Sequence, residues 1–170
     1  MTRSIAIFLG ILLGTFSQLP AQSTLKFGHV NSTQLLSLMP ETKNADSTLQ
    51  KFGASLESQL KTMTGEYQNK ISEFKSKEAS MAEPIRDAKL KEISDLEERI
   101  QSFQESAQSS MQKKKEELYT PILKKAEEAI NAVAKENKYS YIFDTGAGSL
   151  LYAQESDDVL SLVKTKLGLK

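Results

Sequence analysis

Large apolar residues form two narrow stripes in the middle of the chain and short dense runs near its ends. From Leu49 the stripe runs Leu49, Phe52, Leu56, Leu60, Met63, Tyr67, Ile71 and Phe74, spaced 3, 4, 4, 3, 4, 4 and 3 residues apart. This spacing keeps one helical face apolar, with Lys, Glu, Gln and Ser around the rest. It lies nearer an eleven-residue than a seven-residue repeat, which predicts a nearly straight helix. A second stripe follows with Ile93, Leu96, Ile100, Phe103 and Ala107, thins through Met111, and recovers at Leu118 and Ile122. A solitary helix would leave both stripes wet, although each large apolar side chain contributes about 1.5–3 kcal/mol when buried. The two stripes therefore predict an antiparallel helical hairpin. It reverses at Ser80-Met81-Ala82-Glu83-Pro84, where the proline pushes Glu83 out of helical geometry and itself suits a first helical turn. One long Pro-kinked helix is the alternative. Arms of roughly 35 to 40 residues at ~1.5 Å per residue reach about 50 to 60 Å.

Reversal at Glu83 sets Gly53, Ala54 and Ser55 opposite a stretch containing Ser109, Ser110 and Met111, so small or polar residues meet across the seam. This coincidence predicts a flexible point in the arm. At the tip, Met81 and Ile85 are candidates for contact with a bound chain; the other reading is that they pack on each other to close the turn. Lys113-Lys114-Lys115 followed by Glu116-Glu117 reads as a solvated helix face. Pro121 with Thr120 as cap predicts a new helical segment that presents Ile122, Ala126, Ala129, Ile130 and Val133.

Residues 25–31 alternate, with Phe27 and His29 on one face and Gly28 and Val30 on the other, as a strand requires. Asn31 or Ser32 can cap a short helix over 33–39, which Pro40 ends. Residues 139–144 read as a strand, 145–148 as a turn and 149–153 as a second strand. Ser156 or Asp157 can cap a last helix carrying Val159, Leu160, Val163 and Leu167, with Gly168 at its end. Strands at both ends predict that the ends meet. The fold class is α+β: a long antiparallel helical hairpin, 43–119, with its tip near 80–86, on a small β-rich body built from 22–42 and 120–170. Three short strands cannot bury Phe27, Ile142, Phe143, Leu150, Leu151 and Tyr152 alone, so association is expected. With Val30, these residues are the candidates for an oligomer body.

Composition narrows the function classes. The 170 residues hold 22 Lys+Arg and 22 Asp+Glu, a balance that points away from nucleic acid. Met1-Thr2-Arg3, the apolar run Ile5 to Phe16 and the stretch ending in Ala21 have the order of a secretory signal peptide, cleaved after about Ala21. The apolar run is shorter than the ~20 residues of a spanning helix, so no spanning segment is expected in the mature chain. Without Cys there is no disulfide, thiolate metal site or lipid-anchoring thiol. His29 is the only histidine, and a lone His on a strand is a structural residue more often than a base or ligand. Asp144-Thr145-Gly146 has the order of an aspartic-protease motif, but turn chemistry accounts for it without a second carboxylate. No catalytic, cofactor-binding or metal residue is therefore expected, and an enzyme is not.

The feature order is specific: a secretory signal, Lys26-Phe27-Gly28-His29-Val30-Asn31 followed by Leu35-Leu36, and a charged hairpin. It closes with Tyr141-Ile142-Phe143-Asp144, Leu151-Tyr152-Ala153 and Asp157-Asp158-Val159. This resembles the Skp, or OmpH-like, family of periplasmic chaperones over residues 25–168, the hairpin by pattern alone. The resemblance implies a homotrimer whose β-rich body gathers strands from three subunits while three arms enclose a cavity. It implies a periplasmic holdase, independent of ATP and of cofactors, that binds unfolded outer-membrane β-barrel proteins and prevents their aggregation. A periplasmic coiled-coil spacer or adaptor that docks a folded partner is the alternative. One departure concerns charge. Family arms are basic, whereas residues 43–138 carry 17 Lys+Arg and 17 Asp+Glu, so lipopolysaccharide binding is not carried over.

Overall fold

The computed structural model describes residues 25–148 and 150–169, so the expected signal peptide lies outside the described residues. Strand β1 (Phe27–Val30) leads into helix α1 (Ser32–Leu38) and then α2 (Pro40–Lys77). A 3₁₀ turn, Glu78–Ser80, reverses the chain into α3 (Glu83–Glu136). Strand β2 (Tyr141–Asp144), a second 3₁₀ turn (Glu155–Asp157) and helix α4 (Leu160–Leu167) complete the order. The architecture is the expected helical hairpin on a small base of strand and helix.

Local chemistry explains each boundary. Asn31 accepts a hydrogen bond from the Gln34 amide at 2.9 Å and caps α1. Pro40 both ends α1 and opens α2, so the arm helix begins nine residues before the first residue of its stripe, Leu49. Pro84 sits in the first turn of α3, as expected for the second arm. Gly168 adopts φ +69 at the end of α4, a left-handed conformation that glycine takes without a Cβ penalty. The start of α4 is later than expected: neither Ser156 nor Asp157 caps it, and Asp158 Oδ1 accepts from the Leu160 amide at 2.8 Å.

The base is closed by a parallel pair, with Phe27 opposite Tyr141, Gly28 opposite Ile142, His29 opposite Phe143 and Val30 opposite Asp144. Parallel strands need a long crossover, and here the whole hairpin is that crossover. Beneath the sheet, Val30, Leu35, Met39, Ala45, Ile122, Ala126, Ala129, Val133, Val159 and Val163 form one buried cluster. The lower end of α3 therefore belongs to the body, which is why its 54 residues outnumber the 38 of α2. Packing over Gly28 is tight: a Cβ would stand 3.0 Å from the Tyr139 ring and 3.1 Å from Val159, so a larger residue would have to push those side chains aside.

Two expectations are corrected. Residues 150–153 do not form a strand. β2 already occupies one edge of β1, and the chain crosses to the other edge. There His29 bridges Asp158, and the Val159 amide donates to the His29 carbonyl at 2.9 Å. The His29 ring joins the Gln154 carbonyl at 2.8 Å, which fixes the crossing and gives this histidine a structural role. Pro121 does not start a new segment either, because α3 runs through it without a break. A proline inside a helix costs about 3 kcal/mol. Here Pro121 is exposed while Leu118 packs on the core and Ile122 is buried, so contacts on both sides hold the helix together.

Asp144 ties the strand pair to α1. Its Oδ1 accepts from the Ser32 amide at 3.0 Å and the Gly146 amide at 2.8 Å, and its Oδ2 from the Ser32 hydroxyl at 2.6 Å. The Asp-Thr-Gly order is thus turn chemistry, and a Cβ on Gly146 would stand 2.9 Å from Asn31 Oδ1. Desolvation pushes the carboxyl pKa up, but the Ser32 hydroxyl and the two amides outweigh it and hold it below its ordinary value. A depressed folded pKa stabilises above the unfolded value, about 3.9, and that contribution disappears as pH falls through the folded value. Asp144→Asn should flatten the acid limb of stability below about pH 4. Parallel acid limbs in urea titrations of the two proteins would refute this role.

Candidate functional site

Two surfaces stand out: an aromatic face on the sheet and a loosely closed arm. Alternation along the strands sends Val30 into the core and leaves Phe27, Tyr141 and Phe143 on the opposite face. The three rings stack, with centroids 5.9 Å apart for Phe27 and Tyr141, 6.2 Å for Phe27 and Phe143, and 6.2 Å for Tyr141 and Phe143. They remain 47%, 57% and 45% exposed. Nearby in sequence, Leu151 is 99% and Tyr152 79% exposed. So much wet aromatic and aliphatic surface on one small base makes it a candidate interaction face.

The proposed oligomer residues divide accordingly. Phe27, Phe143, Leu151 and Tyr152 face outward and Leu150 is half-buried, whereas Val30 lies inside the core and Ile142 packs against it. Tyr141 was missed by the sequence reading. The signal was present, because period-two alternation places it on the face of Phe143.

In the arm, α2 and α3 run antiparallel, with Lys125 paired to Glu41, Tyr119 to Asp46 and Lys70 to Glu92 across the seam. The ion pairs set pKa directions: Lys125 lowers Glu41, and Lys70 first, then Lys89, lowers Glu92. Lys125 and Glu92 are exposed while Glu41 and Lys70 are half-buried at the rim of the seam, and such solvent-facing pairs contribute little to stability. Lys114 meets Glu117 at 3.1 Å, so the lysine run pairs along its own helix.

Packing is uneven along the arm. Phe74 and Leu96 are buried toward the tip and Ala45 at the root, but no described residue of α2 between Ala45 and Phe74 is fully buried. Several grooves open along that stretch, and two bear on the residues named above. One, of about 790 Å³, is lined by Ser58, Thr62, Met63, Arg99, Ser102 and Phe103 among others. The other, of about 530 Å³, lies beside Gly53, Ala54 and Met111. Ala54, Ser55 and Ser109 are exposed, while Gly53 and Ser110 are half-buried. At the tip Met81 is half-buried, its amide bonded to the Glu78 carbonyl at 3.2 Å, and Ile85 is 55% exposed.

Among the described residues no helix is long and apolar enough to cross a membrane, and no group of three or more His, Cys, Asp or Glu side chains could hold a metal ion.

Comparison with curated proteins returns no match. Among solved structures, a Caulobacter crescentus CB15 protein assigned as an OmpH-like outer membrane chaperone superposes with a TM-score of 0.73 at 14% identity. The match covers 95% of this chain and 90% of that one, and at this identity it shows the fold. The family described as "Outer membrane protein (OmpH-like)" matches residues 26–167, nearly the whole of the described chain. With the hairpin, the closing strand pair and the terminal helix in place, the chain belongs to the OmpH-like family.

Proposed function

We propose that this chain is a periplasmic holdase that works without ATP or enzymatic chemistry. In this reading residues 1–21 direct export and are removed. Residues 22–42 and 120–170 form the body, and 43–119 the arm. Three bodies join through their aromatic faces into a homotrimer, and three arms surround a cavity for unfolded outer-membrane β-barrel proteins. The observation that carries the reading is the exposed Phe27, Tyr141 and Phe143 stack at the root of an arm of about 57 Å, 38 residues at ~1.5 Å each. Family membership and the chaperone assignment of the Caulobacter protein support it.

A holdase gains from many weak contacts, which a half-closed arm provides without a defined pocket. The middle near Gly53, Ala54, Ser55, Ser109 and Ser110 lets the arm bend around clients of different size. Met81 and Ile85 offer apolar contact at the tip. Because arm charge is balanced, client capture is short-range and lipopolysaccharide binding is not assigned.

The test combines aggregation and crosslinking. Purified protein should suppress aggregation of urea-diluted barrel proteins, and Met81→Ser with Ile85→Ser should weaken client retention about tenfold, the effect of roughly 1.5 kcal/mol of lost apolar contact. Unchanged retention at unchanged stability removes the tip from the mechanism. Crosslinking in the periplasm should trap a mixture of barrel proteins. A single folded partner in fixed stoichiometry would favour the spacer or adaptor instead.

A further inference from the structure

Met111 occupies a singular place in the arm. Its Cε and Sδ stand 3.6 and 3.7 Å from where a Cβ of Gly53 would be, and they alone reach that position across the seam. The residue is half-buried and lines the groove of about 530 Å³ beside Asp46, Leu49 and Ala54. One flexible thioether therefore closes the seam where the facing residue has no side chain, and the groove it lines opens to solvent. Of the other methionines after residue 21, Met39 is fully enclosed in the body, while Met63 and Met81 are half-buried in the larger groove and at the tip. We propose that Met111 is a peroxide-reactive modification site whose oxidation opens the arm at its middle.

The chemistry balances with a hydroperoxide as oxidant. A sulfur lone pair attacks the distal peroxide oxygen and the O–O bond breaks. A proton moves to the leaving oxygen, so that hydrogen peroxide is reduced to water and the thioether becomes a sulfoxide. The product is polar and its oxygen needs a hydrogen-bond donor. Gly53 has no side chain to supply one, so the sulfoxide turns out into the groove and the seam loses the contact that covers Gly53. The exposed carbonyls and amides of two helices with no other buried contact nearby then open more often. Sulfoxide reductases return the thioether, which makes the change reversible. The inference stands on arm geometry and does not depend on what the arms enclose.

The experiment is graded hydrogen peroxide treatment of the full exported chain, read by peptide mass spectrometry and amide hydrogen exchange. Met111 should oxidise along with Met63 and Met81 while Met39 lags about tenfold. Exchange over residues 49–57 and 107–114 should then accelerate about tenfold. Met111→Leu, oxidised equally at Met63 and Met81, should show no such acceleration. Met111→Gln, an unbranched polar substitute, should reproduce it without oxidant, which keeps the test decisive if the leucine variant packs badly. Met111 remaining reduced while Met81 is converted, the same acceleration in the leucine variant, or full protection in the glutamine variant would each overturn the proposal.

Discussion

Leu35→Ala lowers the stability of the body by about 2–5 kcal/mol and leaves the arm helical. Leu35 is fully enclosed, in one cluster with Met39, Val159 and Val163, so it joins α1 to the start of α2 and to the first turn of the terminal helix. Truncation removes apolar area and leaves a cavity that three separate elements cannot all close. Three residues on, Leu38 is 41% exposed, and Leu38→Ala should change stability by no more than about 0.5 kcal/mol. In a Tyr67→Phe background, tyrosine fluorescence during urea unfolding reports mainly the body, through Tyr139 and Tyr141 among others, while far-ultraviolet circular dichroism reports mainly the arm. Both variants must be compared at one protomer concentration, because association adds to apparent stability. Equal losses for the two leucines would mean that the body is not held by this cluster.

The second large effect concerns assembly. Phe27→Ser combined with Phe143→Ser should convert an associated protein into a monomer at micromolar concentration. Each phenylalanine contributes about 1.5–3 kcal/mol when buried, so two of them weaken each interface by about 3–6 kcal/mol, some hundredfold to ten-thousandfold. In a closed ring the same two residues recur at every interface, which multiplies the effect. The substitutions leave the chain's own core untouched, since both rings lie on the face opposite Val30. Sedimentation velocity on the wild type and the variant measures the outcome. A variant that sediments like the wild type would place association elsewhere, with Leu151 and Tyr152 the next surface to change.

Much of this fold was legible because its signals are local. The stripes from Leu49 to Phe74 and from Ile93 to Phe103 need only helical periodicity, and Pro84, Asn31 and Gly168 act within one turn of their own positions. What was misread depends on partners. Residues 149–153 have a strand's composition, but a strand exists only against an edge, and which edge is free follows from where Asp158 docks on His29. Pro121 looked like a helix start because its local cost was visible while the burial of Ile122 beside it was not. The sequence marks a flexible point at Gly53, while the stretch of α2 without a fully buried residue runs on as far as Phe74. An apolar stripe reports which face turns inward and not how tightly that face is covered. The outward rings were half-legible: alternation finds Phe27 and Phe143, and the same alternation followed strictly would have included Tyr141.

The parallel pairing of β1 with β2 has a consequence for how the chain is made. The Lys26 amide and the Ser140 hydroxyl that meet at the sheet are separated by 114 residues. Bringing the ends of so long a flexible segment together costs on the order of 4 kcal/mol of chain entropy. A hairpin that first zips from its own turn carries the two ends back to one place through neighbouring contacts, and that search is avoided. The first strand to be synthesised must then wait, unpaired, until nearly the whole chain has followed it. Folding rate should therefore respond to substitutions at Phe74 and Leu96 near the turn, while unfolding rate should respond to those around Val163 in the last helix.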